Sequence, residues 1–350
     1  MKKRSAGLAL THSSWINAWS LRGACAALGV DLRVPRGPRE LPLPQIEADQ
    51  KPDWQLFTEE ASLREALAGR LPGRYWPERF PLELLDDKWA FAAWLSEHPE
   101  GPRGLPQWPL DAAPGSWTFP VLLKARHSWW GSRKLPRGWV CRDAAALHAA
   151  RDRLDREGWP REAFFLQRWV GDAPMRLLAV CGFFDATDER RNLHCVTERV
   201  ADYGQGPSSS AMLVTLQGEQ RLVEQAQGVL RRLRYCGPYE LEFVVASDGE
   251  WLLELNPRFW MQHGLFAAAG NGLVRRYLQL DAGSESGSPL PPMLWVDGIW
   301  LLRRLLRLDL EALAALWHWR VRRAHRLVIC PTLAAALRAA LWRAAGRRIA

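Results

Sequence analysis

The sequence predicts a mixed α/β and α+β protein, and three features lead to that reading. The chain opens on a strand, helix, strand pattern; two strand-like segments flank Asp248 and Gly249; and the region from Trp295 onward has helical spacing. With 350 residues, 48% hydrophobic and 24% charged, the chain is long enough for two or three packed lobes, and disorder as its main state is excluded.

The opening pattern consists of a strand at 6–11, a helix at 15–28 closed by Gly29, and a strand at 30–34. Residues 54–58 and 74–76 supply further strands around a helix at 60–68, completing a small α/β unit over 1–84. A helix at 85–97, begun by Asp86 and Asp87, leads into a Pro- and Gly-rich linker at 99–114. A second unit has strands at 119–124, 139–141 and 164–169, a loop at 127–138 and a helix at 143–157. The third has strands near 175–181 and 193–200, a helix at 219–234, and a hairpin of 239–246 with 251–256. The low-complexity patch 283–292 links to the C-terminal region.

Composition narrows the function classes. The basic start reads as a first strand, because its apolar stretch of about five residues is too short for an export signal. No window approaches the roughly 20 apolar residues of a bilayer span, so a cytoplasmic protein is expected. Six cysteines without a CxxC pair point to plain thiols, not a zinc site or disulfide framework. The net charge of +9 favours phosphate-bearing ligands or an anionic surface, but basic residues run along the whole chain and charge alone does not select nucleic acid. Composition offers no account of the 20 tryptophans beyond coding bias and aromatic packing.

The most informative string is YELEFVVASDGEWLLELNPRFW, from Tyr239 to Trp260. Strand side chains alternate, so Glu254 and Asn256 leave one face, and Pro257 ends the ladder. Glu242 joins them if the turn has an odd number of residues centred on Asp248, the arrangement expected here; a two-residue turn would pair it with Leu255. Two carboxylates and an amide oxygen suit Mg2+, with Mn2+ as an alternative, and Arg258 just beyond is placed for a transferred phosphate.

This string resembles the magnesium-binding hairpin of the ATP-grasp superfamily, whose members of carboxylate-amine ligase type supply the pattern. FPVLLKA, with Lys124, is similar to the family strand whose lysine binds ATP phosphate. FFLQRWVGD resembles the segment joining the two ATP-clasping lobes, which implies adenine contacts near Trp169 and Val170, assisted by Gln167. LLDDKWAF places Asp87 and Lys88 where the family's first core helix begins. The four strings occur in family order over about 84–280, more than half of the chain.

The resemblance implies an N-terminal Rossmann-like pre-ATP-grasp domain (1–84), a two-lobed ATP-grasp core (85–280; small lobe about 115–170, large lobe about 171–280) and a helical C-terminal tail (281–350). It implies metal ligands Glu242, Glu254 and Asn256, nucleotide contacts from Lys88, Lys124, Gln167, Trp169 and Val170, and catalysis by Arg258 and Lys124. RVADYGQGPSSSAML, from Arg199 to Leu213, resembles the acceptor-side loop of the superfamily's amino-acid and peptide ligases, which implies carboxylate binding by the backbone amides of Ser208 to Ser210 and an anion-ligand role for Arg199. The basic loop after Lys124 has fewer glycines than the family's flap, and no site residue is assigned to it.

The implied reaction uses ATP and Mg2+ to activate a small-molecule carboxylate as an acyl phosphate, which an amine or similar nucleophile then attacks. A kinase that stops at phosphorylation, or a non-catalytic basic adaptor for membrane or nucleic acid, are the alternatives; nucleic acid is not expected. In the tail, ICPTLAAAL resembles a segment of other ATP-grasp proteins, and Leu333, Ala336, Leu337, Ala340 and Leu341 recur at helical spacing. Docking of that stripe on the enzyme's own core is expected over a peripheral membrane contact anchored by Trp342.

Overall fold

The computed structural model describes residues 5–8, 15–33, 52–76, 81–113, 115–131, 133–172, 174–203, 210–270, 272–280, 290–323 and 325–344. The N-terminal unit is a three-stranded parallel sheet in the order Asp31–Arg33, Ser5–Leu8, Trp54–Leu56. Parallel neighbours need a long crossover, and helix Trp15–Ala27 provides the first one. The expected strand at 74–76 is reduced to a single bridge between Arg74 and Trp54. Helix Glu60–Leu67 turns Ser62, Leu63 and Ala66 inward.

The expected helix at 85–97 is two, Leu82–Asp86 and Lys88–Ser96. Asp87 breaks it: its backbone is extended, and its side chain accepts from the Trp89 and Ala90 amides, capping the second helix. The Pro- and Gly-rich segment is more than a linker. Arg103–Gly104 pairs with Trp251 and Leu252 at the edge of the large sheet, and Gln107–Pro109 pairs with Phe165 to Gln167 in the small one.

The small sheet runs Gln107–Pro109, Phe164–Arg168, Val121–Ala125, Gly138–Cys141. Val121, Leu123, Phe164 and Leu166 form one face and pack with Leu147, Ala150 and Leu154 of helix Ala144–Arg156, which Asp143 caps. By alternation, Lys124 and Gln167 leave the other face.

The large sheet has eight strands, in the order Arg326–Cys330, Met293–Asp297, Ser210–Leu216, Leu193–Asp202, Arg176–Asp185, Cys236–Ala246, Gly249–Asn256, Arg103–Gly104. Leu178, Val180, Leu241, Phe243, Leu252 and Leu255 are buried with helix Gln220–Arg232 and with Phe91 and Leu95. The opposite face carries Glu240, Glu242, Glu254 and Asn256. Its lower end, at Cys181, Phe183 and Cys195, is packed against the N-terminal unit.

The hairpin corrects the expected turn. Ala246 pairs with Gly249, so only Ser247 and Asp248 form the loop, an even number. A regular ladder from that turn would set Glu242 opposite Leu253. Instead Phe243 pairs with Leu252 and Glu242 with Glu254, leaving Leu253 as the extra residue of a β-bulge. Glu242 therefore does face Glu254, but a bulge places it there, not an odd loop.

The C-terminal region is not purely helical. Met293–Asp297 and Arg326–Cys330 are parallel strands of the large sheet, joined through helices Gly298–Leu306 and Leu310–Trp317 and the π-turn His318–Arg322. Helix Leu333–Ala344 packs on Gly298–Leu306. The expected docking of its stripe is half realised: Ala336 is buried, whereas Leu337 and Leu341 are 46% and 60% exposed. The side chain of Trp342 lies outside the described ones.

Many tryptophans have a physical partner. Arginine guanidiniums lie over the rings of Trp54, Trp76, Trp139, Trp159, Trp251 and Trp300 at 3.8 to 6.0 Å. In each the aromatic quadrupole faces a cation. The described cysteines are free thiols; Cys181 and Cys195 face each other across two strands with sulfurs 3.4 Å apart.

Candidate functional site

The site is built on one face of the hairpin. Glu242 is the direct cross-strand partner of Glu254, and Glu240 of Asn256, so four polar side chains converge within two rows of the sheet. Asn256 Nδ2 donates to Glu240 Oε2 (3.0 Å) and Glu242 Oε1 (3.3 Å), while its Oδ1 accepts from Arg258 Nη2 (3.2 Å). Arg258 Nε also donates to Glu60 Oε1 at 2.6 Å.

Cations surround the acids. Lys88, at the start of its helix, places Nζ 3.4 Å from Glu254 Oε2, and Arg199 Nη2 lies 3.6 Å from Glu242 Oε2. Lys124 Nζ, reaching in from the small sheet, donates to Gln167 Oε1 at 3.2 Å. Burial alone would raise Glu254, but Lys88 and Lys124 outweigh it and hold this carboxyl down to about 2. Burial, then the adjacent Glu254, raises Glu242; burial, then Glu242, pushes Glu240 up to about 8. Burial also lowers Lys124, aided by Lys88, so this ammonium gains from an anionic partner.

Most sequence-assigned residues converge. Lys88, Lys124, Gln167, Glu242, Glu254, Asn256 and Arg258 form one connected set of hydrogen bonds, ion pairs and Coulombic neighbours. Trp169 and Val170 sit on the strap after Phe164–Arg168. There Val170, like Met175, Leu177 and the bulged Leu253, packs against the buried cluster of Leu105, Val244 and Trp251. Trp169 turns its indole Nε1 to Asp172 Oδ1 at 2.9 Å. Arg199 Nε donates to Ser210 Oγ at 2.9 Å; Ser208 and Ser209 lie outside the described residues.

Glu60 and Glu240 were missed. Glu240 was detectable, since the alternation that selects Glu254 and Asn256 also selects Glu240 and Glu242. Glu60 reads as an ordinary acidic first-turn residue of a helix in another unit. The basic loop beyond Lys124 is rooted by Arg126, whose Nε lies 3.1 Å from Asp87 Oδ2, and by His127, 3.5 Å from Asp86 Oδ2.

Among the described residues no group of three or more His, Cys, Asp and Glu side chains is placed to bind a metal. The expected set of Glu242, Glu254 and Asn256 would offer two carboxylates and an amide oxygen in place of such a group. That set fits Mg2+, which takes one or two protein carboxylates and completes its shell with water and phosphate. The amide nitrogen of Asn256 faces Glu240 and Glu242 while Oδ1 faces Arg258, so the amide would have to rotate for its oxygen to join the carboxylates on a cation. A separate cavity of about 900 Å³, lined by Trp89, Trp117, Phe119, Arg151 and Phe165 among others, does not include Lys124 or the hairpin acids.

Comparison with solved structures bears on this arrangement of a small and a large sheet. N5-carboxyaminoimidazole synthetase from Staphylococcus aureus superposes with a TM-score of 0.62 at 11% identity, covering 83% of this chain and 81% of that one. The chain has the ATP-grasp fold. N5-carboxyaminoimidazole ribonucleotide synthetase from Thermus thermophilus matches at TM-score 0.59 and 17% identity, with 83% and 82% of the two chains covered. Biotin carboxylase from Campylobacter jejuni, in a complex with beta-gamma-ATP, matches at 0.56 and 14%, with 83% and 72% covered. No protein-family model matches the sequence, and no curated protein matches it significantly. At these identities the likeness is one of ATP-grasp fold.

Proposed function

We propose that this protein is an ATP- and Mg2+-dependent ligase that activates a small-molecule carboxylate as an acyl phosphate for attack by an amine. The observation that carries the reading is the direct pairing of Glu242 with Glu254, Asn256 one row away, on the face served by Lys88 and Lys124. The fold is shared with enzymes described as carboxylases and carboxyaminoimidazole synthetases, one of them in complex with an ATP analogue.

In this reading Glu242, Glu254 and Asn256 hold Mg2+, which neutralises charge on the ATP phosphates. Lys124 binds a phosphate that replaces Gln167 as its main partner. Adenine lies against Val170, Leu177 and Leu253 at the strap, with Trp169 alongside. Lys88 keeps Glu254 ionised, and Arg258 meets the transferred phosphoryl group. The protein's contribution is alignment and charge neutralisation.

Hydroxylamine trapping tests the reaction. With ATP, Mg2+ and pooled metabolite carboxylates, an acyl phosphate intermediate yields a hydroxamate together with ADP and phosphate. A phosphorylated product without hydroxamate establishes a kinase, and absence of ATP binding overturns the assignment.

A further inference from the structure

The excess positive charge of this protein is confined to one region. Residues 298–350 hold 11 of the 47 basic and 2 of the 38 acidic residues, so the remainder is formally neutral and the whole net charge of +9 resides there. The same region carries the exposed apolar surface. Eight large hydrophobic side chains stand out as exposed among the described residues, and seven of them are Leu306, Leu308, Leu310, Trp317, Val321, Leu337 and Leu341.

These side chains are ordered along the elements. Leu310, Ala314, Trp317 and Val321 follow i, i+4, i+7 and i+11 spacing and are all exposed, so helix Leu310–Trp317 and its π-turned extension present an apolar stripe outward. Leu306 and Leu308, 74% and 78% exposed, extend the apolar surface at the preceding corner. Arg303, Arg307, Arg320, Arg322 and Arg323 are exposed around it. Of the two acids, Asp309 is engaged by Arg304 and by the Ala312 amide it caps.

We propose that this face docks on an anionic phospholipid surface, the Leu and Trp side chains entering the headgroup boundary and the arginines meeting lipid phosphates and carboxylates. Charge complementarity selects the occupant. A second copy would bring two strongly basic faces together, and a nucleic acid would leave three leucines of the 306–310 corner without an apolar partner. Interfacial helices combine an apolar face with arginines at its margins, and Trp is favoured at that depth. No described helix is long and apolar enough to cross a membrane, so the contact is peripheral. The inference stands apart from the reaction proposed above.

Vesicle flotation of the full chain tests it, using phosphatidylcholine alone and an equimolar mixture with phosphatidylserine. The expected result is flotation only with the anionic mixture, weakened by salt. Both the triple variant Leu308→Gln, Leu310→Gln, Trp317→Gln and the triple variant Arg320→Gln, Arg322→Gln, Arg323→Gln should lose about tenfold or more in vesicle affinity. Unchanged thermal unfolding shows that these surface variants remain folded. Absence of flotation, or flotation unchanged by both variants, overturns the proposal. So does sedimentation as a dimer that only the apolar variant dissociates, or retention on RNA without flotation.

Discussion

Arg258 and Glu60 form an ion pair, Nε to Oε1 2.6 Å, across a sequence separation of 198 residues. The adjoining backbone is tied as well, with the Phe259 amide donating to the Phe57 carbonyl at 3.0 Å. The N-terminal unit thereby holds a side chain that projects from the hairpin of the large sheet. Glu60→Gln should lower kcat by about tenfold to a hundredfold with little change in ATP affinity, because Arg258 is misaligned and not removed. Steady-state kinetics separate these effects, and an equal loss in ATP binding would place Glu60 in the nucleotide site itself. Stability should fall by about 2 kcal/mol, since the half-buried guanidinium loses its counter-charge.

Glu242 and Glu254 oppose each other across the strands, and burial with this mutual repulsion raises Glu242. Glu242→Gln should therefore raise the melting temperature of the metal-free protein while reducing Mg2+-dependent turnover by about a hundredfold. Mn2+ titration followed by magnetic resonance should show weakened binding. Intact metal affinity in this variant would remove Glu242 from the ligand set.

Lys124 is a half-buried ammonium whose observed hydrogen bond is to a neutral amide, Gln167. Lys124→Met removes that half-buried charge, so the unliganded fold should be retained while ATP affinity drops about tenfold or more. Calorimetric titration with ATP measures the loss. Affinity equal to the parent's would exclude Lys124 as a phosphate ligand.

His263 is buried beside Trp260, its Nδ1 2.5 Å from the Trp260 carbonyl, and burial depresses it from 6.5 to about 4. Between those values the unfolded chain binds a proton that the folded chain excludes. The contribution to stability is complete above pH 6.5 and falls toward pH 4, by about 3 kcal/mol over the window. Denaturant unfolding across this range should show the slope, and His263→Asn should flatten it.

Local pattern in the sequence was enough for the elements that carry the chemistry. Alternation placed Glu254 and Asn256 on one face, Lys124 was legible as a strand lysine, and the helix that starts beside Asp143 was legible as a helix. These are properties of neighbouring residues, with periods of two or about four, and they survive packing. The pairing of Glu242 was not legible in this way, because a single extra residue at Leu253 shifts the register without altering the alternation on either side of it. Nor were the two C-terminal strands, Met293–Asp297 and Arg326–Cys330, since their apolar runs lie among helical ones and only the sheet edge distinguishes them. Tertiary structure alone decided that Glu60 meets Arg258 and that Lys88 meets Glu254. Each of those contacts joins residues with no shared local period, and each depends on how separate layers pack.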